Sequence, residues 1–211
     1  MTPERTIGRL SLYRRLLRMA LGDGTDSMYS HQLAERAGTT PAQVRRDLTY
    51  VGYSGNPRRG YDVRELLESI EAFLSPAKAE RVALVGIGNL GRALLAFFRG
   101  RQPKLNITAA FDRDPDKTGR VIHGCRCYPV GRLAEVLAAE GIRTAILAVP
   151  ASEAQRAADL LVNAGVQGIL NFAPIPLRVP VAVFVEGIDM TMALEKVAYF
   201  AANGKTRRRK L

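Results

Sequence analysis

Beyond residue 80 the chain alternates short apolar runs with longer stretches whose apolar residues recur at helical spacing. The runs span 82–85, 107–111, 144–149, 168–170 and 181–185. Strands alternating with helices predict βαβ units on a mostly parallel sheet, an α/β fold. Before residue 75 the pattern differs: helices are punctuated by Gly, Thr and Pro and close in a Gly/Pro/Arg-rich hairpin. A helix begun near Arg64 ends at Ser75-Pro76, because the residue before proline is driven out of the helical region. The boundary between the two regimes is therefore expected at 75–80. The reading gives an N-terminal domain over 1–78, a second over 79–187, and a terminal helix with a tail over 188–211.

The N-terminal domain carries the spacing of a helix-turn-helix. Ala34 lets two helices approach, Gly38 takes the turn, and Val44 anchors the second helix. Thr40 is placed to cap that helix, with Pro41 at its first position and Gln43 as reciprocal partner in a capping box. Val44, Leu48 and Val51 form the buried face. At ~100° per residue Arg46 points away from Val44, beside Ala42 and Thr49 and flanked by Arg45, a small basic face suited to a major groove. The stretch from Tyr53 to Val63 then reads as a two-stranded wing with Arg58, Arg59 and Gly60 at its tip, suited to a minor groove. The expected DNA contacts are Thr40, Gln43, Arg45, Arg46, Thr49, Tyr50, Arg58, Arg59 and Gly60. A plain three-helix bundle with solvated arginines is the bland alternative.

In the second domain a strand runs into Gly86-Ile87-Gly88-Asn89-Leu90-Gly91 and then a helix. Gly86 makes the tight turn, Gly88 lets the backbone approach a pyrophosphate, and Gly91 permits close helix–strand packing. The helix start adds N–H donors and a positive dipole end. Such a glycine pattern is weak alone, but Asp112 follows 21 residues after Gly91, at the end of the next apolar run. An acid there can accept from both adenosine ribose hydroxyls and repel a 2′-phosphate, which favours NADH/NAD⁺ over the phosphorylated dinucleotides. Arg113 beside it is the one residue that would welcome that phosphate. Nothing further points to hydride chemistry. His31 lies by the helix-turn-helix, His123 sits in a His-Gly-Cys surface turn, and too few residues follow the last strand for a substrate domain. Cys125 and Cys127 read as the start of an apolar strand rather than a redox pair, and supply too few ligands for a zinc site.

Charge changes the picture only slightly. The net charge of +11 divides into +3 over 1–78, +3 over 79–200, and +5 over the last eleven residues, where Lys205, Arg207, Arg208, Arg209 and Lys210 meet no acid. Nearly half the excess thus lies in a short tail able to touch phosphate non-specifically. With 47% hydrophobic and 24% charged residues, the chain has the composition of a globular protein. No apolar run approaches the ~18 residues of a membrane span. Arg5, Arg9, Arg14 and Arg15 interrupt the N-terminal leucines, unlike a secretory signal, and a cytoplasmic location is expected. The helix predicted over 189–202 is apolar around most of its circumference, with only Asp189, Thr191, Glu195 and Lys196 polar. Such a helix must be buried all round, which points to packing in a second subunit, a symmetric dimer and a palindromic DNA site.

Taken together, these motifs resemble the Rex family of redox-sensing transcriptional repressors over nearly the whole chain. The resemblance is carried by Gln43-Val44-Arg45-Arg46-Asp47-Leu48-Thr49-Tyr50, the fingerprint from Gly86 to Gly91, Phe111-Asp112 with Asp114-Pro115, Ala148-Val149-Pro150, and Gly168-Ile169-Leu170-Asn171-Phe172-Ala173-Pro174. It implies a homodimer of winged-helix and Rossmann domains with the C-terminal helix exchanged between subunits. It also implies operator binding at low NADH/NAD⁺ and release when NADH binds. By position, Gly86, Ile87, Gly88, Asn89, Leu90 and Gly91 would hold the pyrophosphate, Asp112 would hold the adenosine ribose and Phe97 would lie near the nicotinamide, with Arg113, Val149 and Pro150 as further cofactor contacts. Asp189 with Arg15 would form the switch contact. Two departures from the family pattern stand out: the wing reads Arg58-Arg59-Gly60-Tyr61 instead of Arg-Gly-x-Gly-Tyr, and Phe97 lacks a tyrosine hydroxyl. The rival readings are an NAD-dependent oxidoreductase with a fused regulatory DNA-binding domain, and a DNA-binding protein whose Rossmann domain only dimerises.

Overall fold

Leu10, Tyr13, Leu17 and Ala20 recur at helical spacing along the first helix, α1 (Glu4–Gly22), and all are fully buried. The computed structural model describes residues 2–56, 58–75, 79–100 and 104–203, and the chain divides into two units after Ser75. The expected boundary at 75–80 lies partly, and the basic tail wholly, outside the described residues.

In the first unit α1 is followed by β1 (Ser27–Met28), α2 (Ser30–Ala37), α3 (Pro41–Val51), β2 (Tyr61–Asp62) and α4 (Val63–Leu74). Gly38 ends α2 at φ +66°, a left-handed conformation that suits glycine. Ala34 and Val44 are buried on either side of this turn, as the helix-turn-helix spacing requires. Asp62 caps α4 by accepting from the Glu65 N–H at 2.9 Å, and α4 buries Val63, Leu66, Leu67 and Ile70 in the core shared with α1. Each fully buried leucine contributes ~2 kcal/mol.

Two details here differ from the sequence reading. Thr40 Oγ1 does accept from the Gln43 N–H at 3.2 Å, but the Gln43 amide does not close the capping box. It donates instead to Asp47 at 2.9 Å, a fully buried carboxylate that offers a stronger acceptor. The wing is also not a self-contained two-stranded hairpin. Its returning strand β2 pairs antiparallel with β1, matching Ser27 to Asp62 and Met28 to Tyr61. Among the described residues the wing stem itself holds a single bridge, Asn56 to Gly60.

The second unit contains β3 (Glu80–Val85), α5 (Asn89–Phe98), β4 (Leu105–Asp112), β5 (Val121–Ile122), β6 (Cys125–Pro129), α6 (Leu133–Glu140), β7 (Thr144–Leu147), α7 (Ala151–Asn163), β8 (Gly168–Asn171), β9 (Phe184–Gly187) and α8 (Met190–Ala202). The sheet order is β5-β6-β4-β3-β7-β8-β9, parallel throughout except for β5. Counting from β3 and leaving out β5, this is the 3-2-1-4-5-6 order of a Rossmann sheet. One core under Phe111, Leu137, Leu147 and Leu161 packs one face, and a second under Leu84, Leu94 and Ile146 packs the other.

Four of the five expected strands are found where the apolar runs lie. The fifth is displaced: 181–185 gives way to Phe184–Gly187, because the Phe184 N–H pairs with the Gln167 carbonyl and fixes the register on β8. The hairpin of β5 and β6 is an addition, turned by His123 (φ +49°) and Gly124 (φ +83°). Two consecutive positive φ values make the tight two-residue turn that matches strand twist. Cys125 and Cys127 sit on one face of β6, buried, and both thiols are free. Burial pushes the Cys125 thiol up to about 12 and Cys127 in the same direction, which keeps them as thiols.

Candidate functional site

The recognition surface begins with how α3 is held. Asp47, wholly inaccessible, accepts from Arg9 Nε at 2.6 Å and Arg9 Nη2 at 2.7 Å, a bidentate pair. Thr6 Oγ1 at 3.2 Å, Tyr13 Oη at 2.9 Å and Gln43 Nε2 also donate to it. Burial raises the Asp47 pKa, yet these donors together outweigh it and hold the carboxyl below the usual carboxylate range. Asp47 and Arg9 were not among the expected site residues. A lone aspartate on a helix reads as solvent-facing, and its partner lies on α1, 38 residues away.

With its inner face fixed, α3 presents Arg45, Arg46, Thr49 and Tyr50 outward, all exposed. Arg45 Nη1 donates to Ser30 Oγ at 3.1 Å, and Thr49 Oγ1 donates to the Arg46 carbonyl at 2.7 Å. Thr40 and Gln43 have internal partners, as described. At the wing, Asn56 Oδ1 accepts from the N–H groups of Arg58 (2.8 Å) and Arg59 (3.3 Å), turning both arginines to solvent. Tyr29 Oη donates to the Arg58 carbonyl at 2.7 Å and ties the wing to the start of α2. Gly60 stands at φ +78°, where a Cβ would lie 2.7 Å from the Met28 carbonyl oxygen. Between α3 and the wing runs a groove lined by Tyr29, Ser30, Arg45, Thr49, Asn56 and Gly60. The expected contact Arg46 is exposed but is not among the residues that line it; Pro57 lies outside the described residues.

The second site lies at the carboxyl ends of β3, β4 and β7, where the strand order reverses. It is a cleft of about 390 Å³ whose walls include Gly86, Gly88, Asp112, Arg113, Val149 and Pro150, together with Lys117, Val130, Arg156 and Leu160. The three glycines of the fingerprint divide their roles. A Cβ on Gly86 (φ +97°) would collide with the Ala148 carbonyl, and one on Gly91 with the Gly86 carbonyl. Gly88 has nothing within 4 Å of its Cβ position. The protein itself therefore needs Gly86 and Gly91, and leaves over Gly88 an open approach to the first N–H groups of α5. That is the shape a pyrophosphate requires.

Asp112 ends β4 facing this cleft. Its Oδ2 accepts from the Ile87 N–H at 2.7 Å and from Lys117 Nζ at 3.3 Å, and its Oδ1 from the Asp114 N–H at 2.9 Å. Burial raises its pKa, but the Asp114, Ile87 and Lys117 donors together overcome this and keep it ionised. Arg113 is 74% exposed and ion-pairs with Glu153 at 3.1 Å. Phe97, 52% exposed on α5, stacks edge-on with Phe98 and is not among the residues lining the cleft. Asp189 caps α8, accepting from the Met192 N–H at 2.8 Å. Arg15 is exposed on α1. Among the described residues no group of acidic, His and Cys side chains is placed to hold a metal, and no helix is long and apolar enough to cross a membrane.

Comparison with known proteins gives these two sites a common setting. Residues 2–49 match a family model described as "Putative DNA-binding protein N-terminus", and residues 77–175 match a "CoA binding domain". The redox-sensing transcriptional repressor Rex of Roseiflexus sp. (strain RS-1) is 42% identical over 200 residues, 95% of this chain and 91% of that protein. The chain belongs to the Rex family. Among solved structures, the Rex-family repressor RSP in complex with β-NAD⁺ and operator DNA superposes with a TM-score of 0.88, at 31% identity over 97% of this chain and 94% of that one. RSP in complex with β-NADH gives 0.85, over 97% and 96%. Rex relatives that match the chain end to end are named as repressors, so the chain is a regulator and not an oxidoreductase with a regulatory head.

Proposed function

We propose that this chain represses transcription by binding a palindromic operator as a homodimer, and that NADH in the cleft releases it. The observation that carries the reading is one chain joining an outward basic recognition helix and wing to a Rossmann cleft at the switch point, in a family whose member RSP has been solved with β-NAD⁺ and operator DNA and with β-NADH. Arg45, Arg46, Thr49, Tyr50, Arg58 and Arg59 meet DNA, whereas Thr40 and Gln43 chiefly hold α3 in shape. Such a repressor acts in the cytoplasm, where its operator is.

In the cleft, Gly88 and the first turn of α5 take the pyrophosphate, Asp112 the adenosine ribose, and Val130 and Leu160 the apolar base. Val149 and Pro150 border the path toward the nicotinamide. When bound, NADH presents an uncharged ring where NAD⁺ presents a cation. Only contacts that differ between the two can shift a conformational equilibrium. Phe97 and Asp189 are the residues we assign to that distinction, with Arg15 as the partner of Asp189. All thirteen residues of α8 are exposed in the single chain, including Met190, Leu194, Val197 and Tyr199. This supports exchange of α8 between two subunits, since water is a poor solvent for such a surface.

Fluorescence anisotropy on a two-fold-symmetric, A/T-flanked operator at fixed salt tests the reading. NADH should release the protein, and NAD⁺ should leave it bound or bind it tighter. Operator binding indifferent to both would reduce the cleft to a scaffold. For the switch, Asp189→Asn removes the charge while keeping a side chain that caps a helix well. It should blunt NADH-driven release without melting α8, and unchanged release would remove Asp189 from the switch.

A further inference from the structure

The Lys117 ammonium bridges two carboxylates, 3.3 Å from Asp112 Oδ2 and 3.3 Å from Asp114 Oδ2, with 24% of its side chain exposed. It lines the same cleft as Gly88 and Asp112. The glycine fingerprint and its distant acid explain Asp112 and leave Lys117 without a role. Asp112 does not need the lysine for its orientation, because the Ile87 and Asp114 N–H groups already fix both of its oxygens.

An ammonium has three donors, and two of them face the carboxylates. Because Lys117 lines the cleft, the third can meet a group bound there. A ribose hydroxyl both donates and accepts, so an adjoining carboxylate and ammonium can satisfy it from both sides. The electrostatic consequence is larger. A bare carboxylate at the end of the second Rossmann strand repels a 2′-phosphate, whereas here a cation lies against it. The cleft also carries Arg156, while Arg113 is engaged by Glu153. Burial alone would lower the Lys117 pKa, but its hydrogen bonds to Asp114 and Asp112 raise it, so the charge persists at neutral pH.

We propose that Lys117 is the selectivity residue of the adenosine end: it donates to the ribose and sets how strongly a 2′-phosphorylated dinucleotide is refused. The inference rests on the reading of the cleft as an NADH site. It makes refusal of NADPH a graded property of the Asp112–Lys117 pair rather than an absolute one of Asp112.

Calorimetric titration of the full chain with NADH and with NADPH tests it, in the wild type, Lys117→Met and Lys117→Arg. Lys117→Met should weaken NADH by ~10-fold through the lost charged hydrogen bond. It should weaken NADPH by more, raising the NADPH/NADH ratio of Kd values by a further ~10-fold, since the phosphate also loses a nearby cation. Lys117→Arg should restore the wild-type ratio. If Lys117→Met weakens both dinucleotides equally, the lysine only supports the loop and the proposal is overturned. A fall in the ratio overturns it as well. Failure of the wild type to bind either dinucleotide would instead reject the cleft reading, and the proposal with it.

Discussion

Gly88 and Gly91 lie three residues apart at the same helix start, yet the space around them is opposite in kind. A side chain on Gly91 meets the backbone of Gly86; one on Gly88 meets nothing. Gly91→Ala should therefore lower the melting temperature by several degrees, as backbone overpacking does. Gly88→Ser should melt like the wild type, because serine is a good N-cap and the backbone there is extended. It should nonetheless weaken NADH by ~10-fold or more, equivalent to ~1.4 kcal/mol. Thermal melts with and without NADH separate the two. An NADH affinity unchanged by Gly88→Ser would mean that the pyrophosphate does not pass over this turn.

Between elements, the joint of α1 and α3 rests on one buried carboxylate. Removing Asp47 strands Arg9 and Tyr13 without their acceptor, so Asp47→Ala should cost ~3 kcal/mol in the first unit. The pH dependence follows from the depressed pKa of Asp47 in the folded state. Its contribution is complete above the unfolded value of ~3.9 and is lost as pH falls through the lower folded value. Denaturant titrations below pH 4 should show a steeper acid loss in the wild type than in Asp47→Asn. The same joint marks how far sequence could be read. Ala34, Gly38 and Val44 were legible because a turn is set by residues a few positions apart, and the glycine fingerprint for the same reason. The Asp47 cluster was not, because its donors come from α1. The wing was half legible: its turn is local, but β2 finds its partner at Ser27 and Met28, far back in the chain. Strands β5 and β9 are short: β5 lies between Arg120 and His123, while the apolar run at β9 begins at Val181, three residues before the strand, so their ends were set by pairing rather than by hydrophobicity.

Across the whole molecule, the succession of apolar runs was enough to foresee a Rossmann sheet, and the sheet order puts the cleft where the glycines are. What no single-chain pattern supplies is a cover for α8. Leu194 is 69% exposed there and Val197 66%. If a second copy covers them, Leu194→Glu should yield monomers in sedimentation velocity at concentrations where the wild type is dimeric. Each unit should keep its own melting transition. Operator affinity should fall by ~100-fold, since the two recognition helices no longer act as a linked pair. A Leu194→Glu protein that stays dimeric would place the interface elsewhere.

An uncovered α8 also bears on gene dosage. A repressor that becomes competent only when two copies meet has an active population that grows as the square of copy number at low expression. In a cell holding few molecules, promoters would then escape repression through scarcity alone, with no change in redox state. Halving expression would mimic a rise in NADH, so the setpoint of such a sensor is written partly in its own promoter.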